Sequence, residues 1–305
     1  MSEPLPDELE FLEEILNRHP VESLKRIAEE EGINYYRLKR LYDRYYGKYI
    51  SVNAFYNPRL IGLRSYLAFL SVPPDRILET GYRMTRNPFV GYVNPAFGFK
   101  NGLSAILYIP DDQRGDIDGM LSKYSDDYEY HEVRGYPYTG EDDFGRWDLS
   151  YKYAVLMDIL KADARTPLTR IAERLKKSRP TVKFMIKRLE EMDILRGFAA
   201  VIENSFHDRS VLGITEKLDE SVIERFKEHE VRIGVFPGEG YVIEWFFSSK
   251  EDLGAKILEF SNYVDKLVIQ YFDPTFKELN DRNGTTRYSR MVKKDGSGYH
   301  SILEF

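Results

Sequence analysis

The chain repeats itself. Residues 11–50 lie over residues 155–194 at a constant offset of 144, with no gap and 11 identities in 40 positions. Leu12, Ile15 and Leu16 fall on Leu156, Ile159 and Leu160. Leu24, Arg26, Ile27, Ala28 and Glu29 fall on Leu168, Arg170, Ile171, Ala172 and Glu173, and Lys39, Arg44 and Ile50 fall on Lys183, Arg188 and Ile194. Leu38/Val182, Leu41/Met185, Tyr42/Ile186 and Tyr45/Leu189 keep apolar character. A repeat of this kind restricts the chain to two units of like architecture.

The order of elements after each copy recurs too. After the first copy, period-2 apolar runs at Ser65–Val72, Val90–Phe97, Leu103–Ile109 and Tyr128–Val133 read as strands, and Pro74–Arg86 and Asp112–Tyr124 read as helices. The order is β-α-β-β-α-β. After the second copy, Val211–Lys217, Val231–Phe236, Tyr241–Ser248 and Lys266–Phe272 read as strands, with helices over Glu220–His229 and Glu251–Val264. The expected fold is therefore α+β, a tandem duplication of a winged-helix/helix-turn-helix domain followed by a ferredoxin-like domain. The expected boundaries are 1–52 and 53–138 for the first pair, 139–148 for a linker, 149–197 and 198–279 for the second pair, and 280–305 for a tail with little structure of its own.

Within the second copy the helix-turn-helix signal is spelled out. Pro167 suits the first turn of a helix running Leu168–Leu175. Lys176-Lys177 make a turn, and Ser178 is an N-cap for Arg179–Met192. Val182, Met185, Ile186 and Leu189 turn inward. In the first copy Ala28, Gly32, Ile33 and the N-cap Asn34 give the same order, with Lys176 and Lys177 replacing Gly32 and Ile33. The outward face of the third helix carries Tyr35, Tyr36, Arg37, Lys39, Arg40 and Arg44 in the first copy, and Arg179, Thr181, Lys183, Lys187 and Arg188 in the second. Residues 24–48 hold seven basic and four acidic side chains, residues 168–196 nine and four, in a chain whose net charge is -6. Positive charge is thus concentrated where a helix would face a groove, Lys and Arg to phosphates and Arg or Thr at the N-terminal end to base edges.

These residues resemble the Lrp/AsnC transcriptional regulators of archaea and bacteria. The resemblance is carried by Leu24-Lys-Arg-Ile-Ala-Glu-Glu-Glu-Gly-Ile33, by Leu168-Thr-Arg-Ile-Ala-Glu-Arg-Leu175, by Ser178-Arg-Pro-Thr-Val182 and by Ile186-Lys-Arg-Leu-Glu-Glu-Met-Asp-Ile-Leu195 with Gly197–Ile202 after it. It implies double-stranded DNA as partner, dimerisation through the ferredoxin-like domains, a homodimer, and a small effector such as an amino acid near the loops of the middle strands. The matching loop positions are Gly98, Gly102, Gly238 and Gly240, where glycine also serves a tight hairpin turn. A typical member has one copy per chain; this chain has two.

The remaining composition narrows the chemistry. There is no cysteine, and five scattered His lack ligand spacing, so no disulfide, thiol nucleophile or catalytic metal is expected, nor a cofactor. No apolar run reaches the ~20 residues of a spanning helix, and the acidic N-terminus lacks a signal pattern, so a cytoplasmic, non-membrane protein is expected. Phosphate loops and nucleophile elbows are absent, and no enzyme is expected. Two alternatives stay open. Siroheme decarboxylases resemble this architecture, and His131 and His207 with Arg134 and Arg209 would be its acid and carboxylate-binding groups. A protein–protein adaptor with degenerate helix-turn-helix units would use the aromatic surface of Tyr35 and Tyr36.

Overall fold

The computed structural model of the chain describes residues 6–138, 144–202, 208–247, 254–284 and 287–305. The first unit begins with α1 (Pro6–Arg18), whose Leu9, Leu12, Ile15 and Leu16 form one buried stripe. Ser23 caps α2 (Leu24–Glu30) by accepting from Arg26 N–H, and Asn34 caps α3 (Tyr35–Tyr45) by accepting from Tyr36 and Arg37 N–H. Strand β1 (Ile50–Tyr56) leads into β2 (Leu63–Ser71), α4 (Ile77–Arg86), β3 (Val90–Gly98), β4 (Gly102–Pro110), α5 (Ile117–Leu121) and β5 (Tyr128–Glu132), with a two-residue β6 (Arg134–Gly135) after it. The second unit repeats the order: α6 (Tyr151–Ala162), α7 (Leu168–Leu175), α8 (Arg179–Glu191), β7 (Leu195–Ile202), β8 (Arg209–Thr215), α9 (Ser221–Arg225), β9 (Val231–Phe236), β10 (Gly240–Phe247), α10 (Gly254–Phe260) and β11 (Lys266–Tyr271).

The two β-α-β-β-α-β segments have the same strand order, β5-β2-β4-β3 and β11-β8-β10-β9. They join edge to edge where β11 pairs with β3, Ile269 opposite Phe97. At the far side β6 pairs with β9, Arg134 opposite Val235. Only Val133 separates β5 from β6, and its N–H donates to Ser65 C=O at 2.9 Å. The nine-stranded sheet therefore returns to the stretch of chain where it started and closes into a ring. Leu67, Phe69 and Ala96 from one segment and Leu212, Ile214, Phe236, Val242 and Val268 from the other share one apolar cluster. The sheet-to-sheet pairing that the resemblance implies for ferredoxin-like domains takes place within this one chain.

The helix-turn-helix units are tied across the repeat as well. Strand β1 pairs with β7 antiparallel, Ile50 opposite Ile202 and Asn53 opposite Ala199. The core of the first unit takes in Ala164 and Ala200 from the second. The core of the second unit, with Met157, Ile171, Val182 and Leu189, is continuous with that of the first ferredoxin-like segment, with Leu63, Phe89 and Leu107. Arg165 is the polar counterpart of this packing. Its guanidinium donates to the carbonyls of His19 (3.3 Å), Pro20 (2.8 Å) and Glu22 (2.6 Å) and lies over the Tyr42 ring. Those carbonyls come just after the end of α1 and would otherwise lack partners.

Two expectations need correction. The tail read for 280–305 is built structure: α11 (Pro274–Gly284), α12 (Arg287–Met291) and a bridge between Val292 and Tyr299 fold back on the first segment. Met291, Val292 and Ile302 are buried there. Asp158 of α6 accepts from Tyr288 and Ser289 N–H at the start of α12, at 2.8 and 2.9 Å. Its polar composition hid it, because the burial is supplied by a few isolated side chains rather than a stripe. The linker reading also changes: residues 139–143 lie outside the described residues, and Trp147 just after them is 7% exposed, in the core of the first segment.

Candidate nucleic-acid interface

Helix α8 is set by three local features. Lys176 closes α7 in the left-handed conformation, φ 51°, where the first copy has Gly32 at φ 64°. A β-carbon there costs about 1–2 kcal/mol, yet the turn keeps its shape. Ser178 Oγ accepts from Thr181 N–H at 3.3 Å and lies 2.8 Å from Thr181 Oγ1. Pro180 sits in the first turn, where its missing N–H has no helical partner to lose. Val182, Met185 and Leu189 are buried, which sends the opposite face outward.

That face is cationic. Arg179, Lys183, Lys187 and Arg188 are exposed and Thr181 is half-buried. Lys187 meets Glu191 one turn on at 3.1 Å, and Arg188 lies 5.9 Å from the Tyr153 ring centre. Among the described residues, Arg179 and Lys183 make no ion pair. An open hollow of about 720 Å³ lies at the turn between α7 and α8, lined by Thr169, Glu173, Lys176, Lys177, Ser178 and Arg179 among others. Cations around the exposed N-terminus of a helix make a site for an anion.

Helix α3 presents its residues in the same way and pairs two of its four cations with carboxylates. Tyr35, Tyr36, Arg37, Lys39, Arg40 and Arg44 are all exposed. Lys39 pairs with Asp43 at 2.5 Å, a hydrogen bond that holds its ammonium above the usual lysine range. Arg44 pairs with Glu8 at 3.2 Å, and Arg37 stacks on Phe11. Tyr35 and Tyr36 meet edge to face at 5.5 Å, Tyr36 being 79% exposed.

The loop glycines have backbone reasons. A β-carbon on Gly98 would lie 2.2 Å from Leu267 C=O, one on Gly102 2.4 Å from Val72 N, and one on Gly240 2.3 Å from Thr215 C=O. Gly238 turns at φ 79° in open space. The pairs sit on separate hairpins. The alternative catalytic groups are also engaged. His131 lies 2.8 Å from Glu129 and 2.5 Å from Glu239, its ring flat on Phe236, and His207 lies outside the described residues. Arg134 pairs with Glu132, which also receives Arg64. These arginines line a second hollow of about 560 Å³ beside Arg196, just beyond the end of α8. No cluster of His, Asp and Glu suited to a metal occurs among the described residues. Nor is any described helix long and apolar enough to cross a membrane.

Sequence reasoning missed Phe184. It stands in the middle of the outward face of α8, 61% exposed. The signal was available: it falls out of phase with Val182, Met185 and Leu189.

Comparison with known proteins meets this geometry at the same place. The family model described as winged helix-turn-helix DNA-binding matches residues 155–196. The HTH-type transcriptional regulator LrpA of Pyrococcus horikoshii is 39% identical over 82 residues, 25% of this chain and 57% of that protein. Over these residues the chain is Lrp-like. An uncharacterized HTH-type transcriptional regulator of Pyrococcus abyssi is 30% identical over 76 residues, 25% of this Lrp-like chain and 47% of that one. The chain thus spans about half the length of the curated relatives it matches.

The architecture is similar to that of the siroheme decarboxylase NirDL, with a TM-score of 0.61 at 17% identity, covering 90% of this chain and 98% of the other. That likeness is one of fold, and it overturns the expectation that no enzyme is in view. The expectation rested on the absence of phosphate loops and nucleophile elbows from the sequence. An enzyme shares nearly the whole of this two-unit fold.

Proposed function

We propose that this Lrp-like chain binds double-stranded DNA as a transcriptional regulator, with α8 in the major groove and α3 in a lesser role. One observation carries the reading: the outward face of α8 and the turn before it offer cations that the chain itself leaves largely unneutralised. In this reading Arg179 at the N-terminal end would meet a base edge, and Lys183, Lys187 and Arg188 would meet phosphates. Tyr35, Tyr36, Arg37, Lys39, Arg40 and Arg44 would contact DNA from the first unit.

A fluorescence titration of bulk duplex DNA at about 50 and about 200 mM salt tests it. Binding that falls steeply with salt is expected. Absence of binding at the lower salt overturns it. In a parallel arm an iron porphyrin is added. A Soret shift without DNA binding would move the chain towards the chemistry of NirDL, whose structure is also known in co-complex with an iron-uroporphyrin III analogue. A homodimer of chains, and a small-molecule effector at Gly98, Gly102, Gly238 and Gly240, belong to the same proposal through the family resemblance. Light scattering and amino-acid titration measure them.

A further inference from the structure

Phe184 is the one large apolar side chain that α6, α7 and α8 expose, and no ring or cation of the described chain stacks on it. At 100° per residue it lies one turn after Pro180 and between Thr181 and Lys187 on the outward face of α8. Arg179 and Lys183 flank it on one side and Arg188 on the other. A polyanion drawn to those four cations would bring its surface against the ring. In the major groove the apolar feature that distinguishes base pairs is the 5-methyl group of thymine. The first unit has Arg40 at the corresponding position, so this feature belongs to the second unit alone.

We propose that Phe184 reads sequence by packing its ring on a thymine methyl group. The proposal rests on the DNA-binding reading above and deepens it: the cations supply affinity for any duplex, and the phenyl ring makes thymine-containing sites preferred.

The test separates the two. Preferred duplexes are selected from a random pool by the full chain, and each thymine is then replaced singly by deoxyuridine, which removes only the methyl. The wild-type chain should lose about fourfold in affinity at one or two positions, the worth of one buried methyl. Phe184→Ala should bind thymine and uracil duplexes alike, with the wild-type salt dependence. Phe184→Leu should keep part of the discrimination. The side chain is exposed, so melting temperature should stay within the range of surface substitutions. Discrimination that survives in Phe184→Ala, wild-type indifference to uracil, or a pool with no enriched sequence each overturns this inference while leaving general DNA binding intact. Absence of any DNA binding removes the underlying reading as well.

Discussion

The two third helices, α3 and α8, occupy equivalent places in equivalent units and differ in what surrounds their cations. At the 144-residue offset, Glu8 corresponds to Lys152, Glu30 to Arg174 and Asp43 to Lys187. Each exchange replaces a carboxylate by a cation. In the first unit those carboxylates are spoken for: Glu8 by Arg44, Glu30 by Arg26 at 2.6 Å, Asp43 by Lys39. Charge counted along a sequence therefore understates the contrast. A lysine already bonded to its own helix has fewer counterions to release on meeting a phosphate. The difference teaches that duplicated binding units diverge through the neighbours of their basic residues as much as through the basic residues themselves.

The comparison breaks most readily at Lys183. Lys183→Ala, which removes a lysine with no ion-pair partner among the described residues, should weaken DNA binding about tenfold and lower the slope of log affinity against log salt by about one. Lys39→Ala should change affinity less than about twofold, since its partner already screens it. Equal losses in the two units, read by gel shift over a salt series, would mean that the units are functionally alike. The next effect is on stability. Arg165→Ala leaves three carbonyls after α1 without their donor and should cost about 2–3 kcal/mol in urea unfolding. Arg165→Lys should recover little, because an ammonium cannot span the fork. Hydrogen exchange should rise at residues 15–22.

A smaller effect is expected at the turn. Lys176→Gly should stabilise the chain by about 1 kcal/mol, and Gly32→Lys should destabilise it by a similar amount. Thermal melts of the pair show whether the two turns are equivalent in strain. The smallest effect is a gain: Asp43→Asn removes the carboxylate beside Lys39 without adding a cation and should raise the salt slope by up to about one. An unchanged slope would place α3 away from the duplex.

Much of this was legible in the sequence, and the parts that were not share a cause. The stripes of Leu12, Ile15 and Leu16 and of Leu156, Ile159 and Leu160 mark the helices, because a period of 3.6 survives in any protein that buries one face. The ring closure through Val133 left no local trace, since a two-residue strand has no period. The pairing of β1 with β7 was hidden for another reason: each strand reads as a local wing, and only the tertiary fold shows that they meet. Arg165 looked like one more cation in an ion-rich chain, and its value lies entirely in three carbonyls more than 140 residues away. Phe184 was passed over because apolar residues in helices are read as core, although its phase said otherwise. Helix α12 is five residues long, too short for its buried Met291 to repeat in a stripe and stand out from polar surroundings.

The tie between β1 and β7, with Arg165 beside it, holds two unlike heads in one frame. A two-fold dimer of identical subunits looks the same from either end of a duplex, and its sites are palindromes for that reason. This chain has a front and a back. A single chain on the duplex proposed as its partner would have an orientation, as an arrow does, and inverting the site would turn that chain around relative to whatever lies on either side. Duplication and then divergence inside a single polypeptide thus substitute polarity for symmetry, and they do so without the problem, faced by any pair of separate unlike subunits, of finding the right mate.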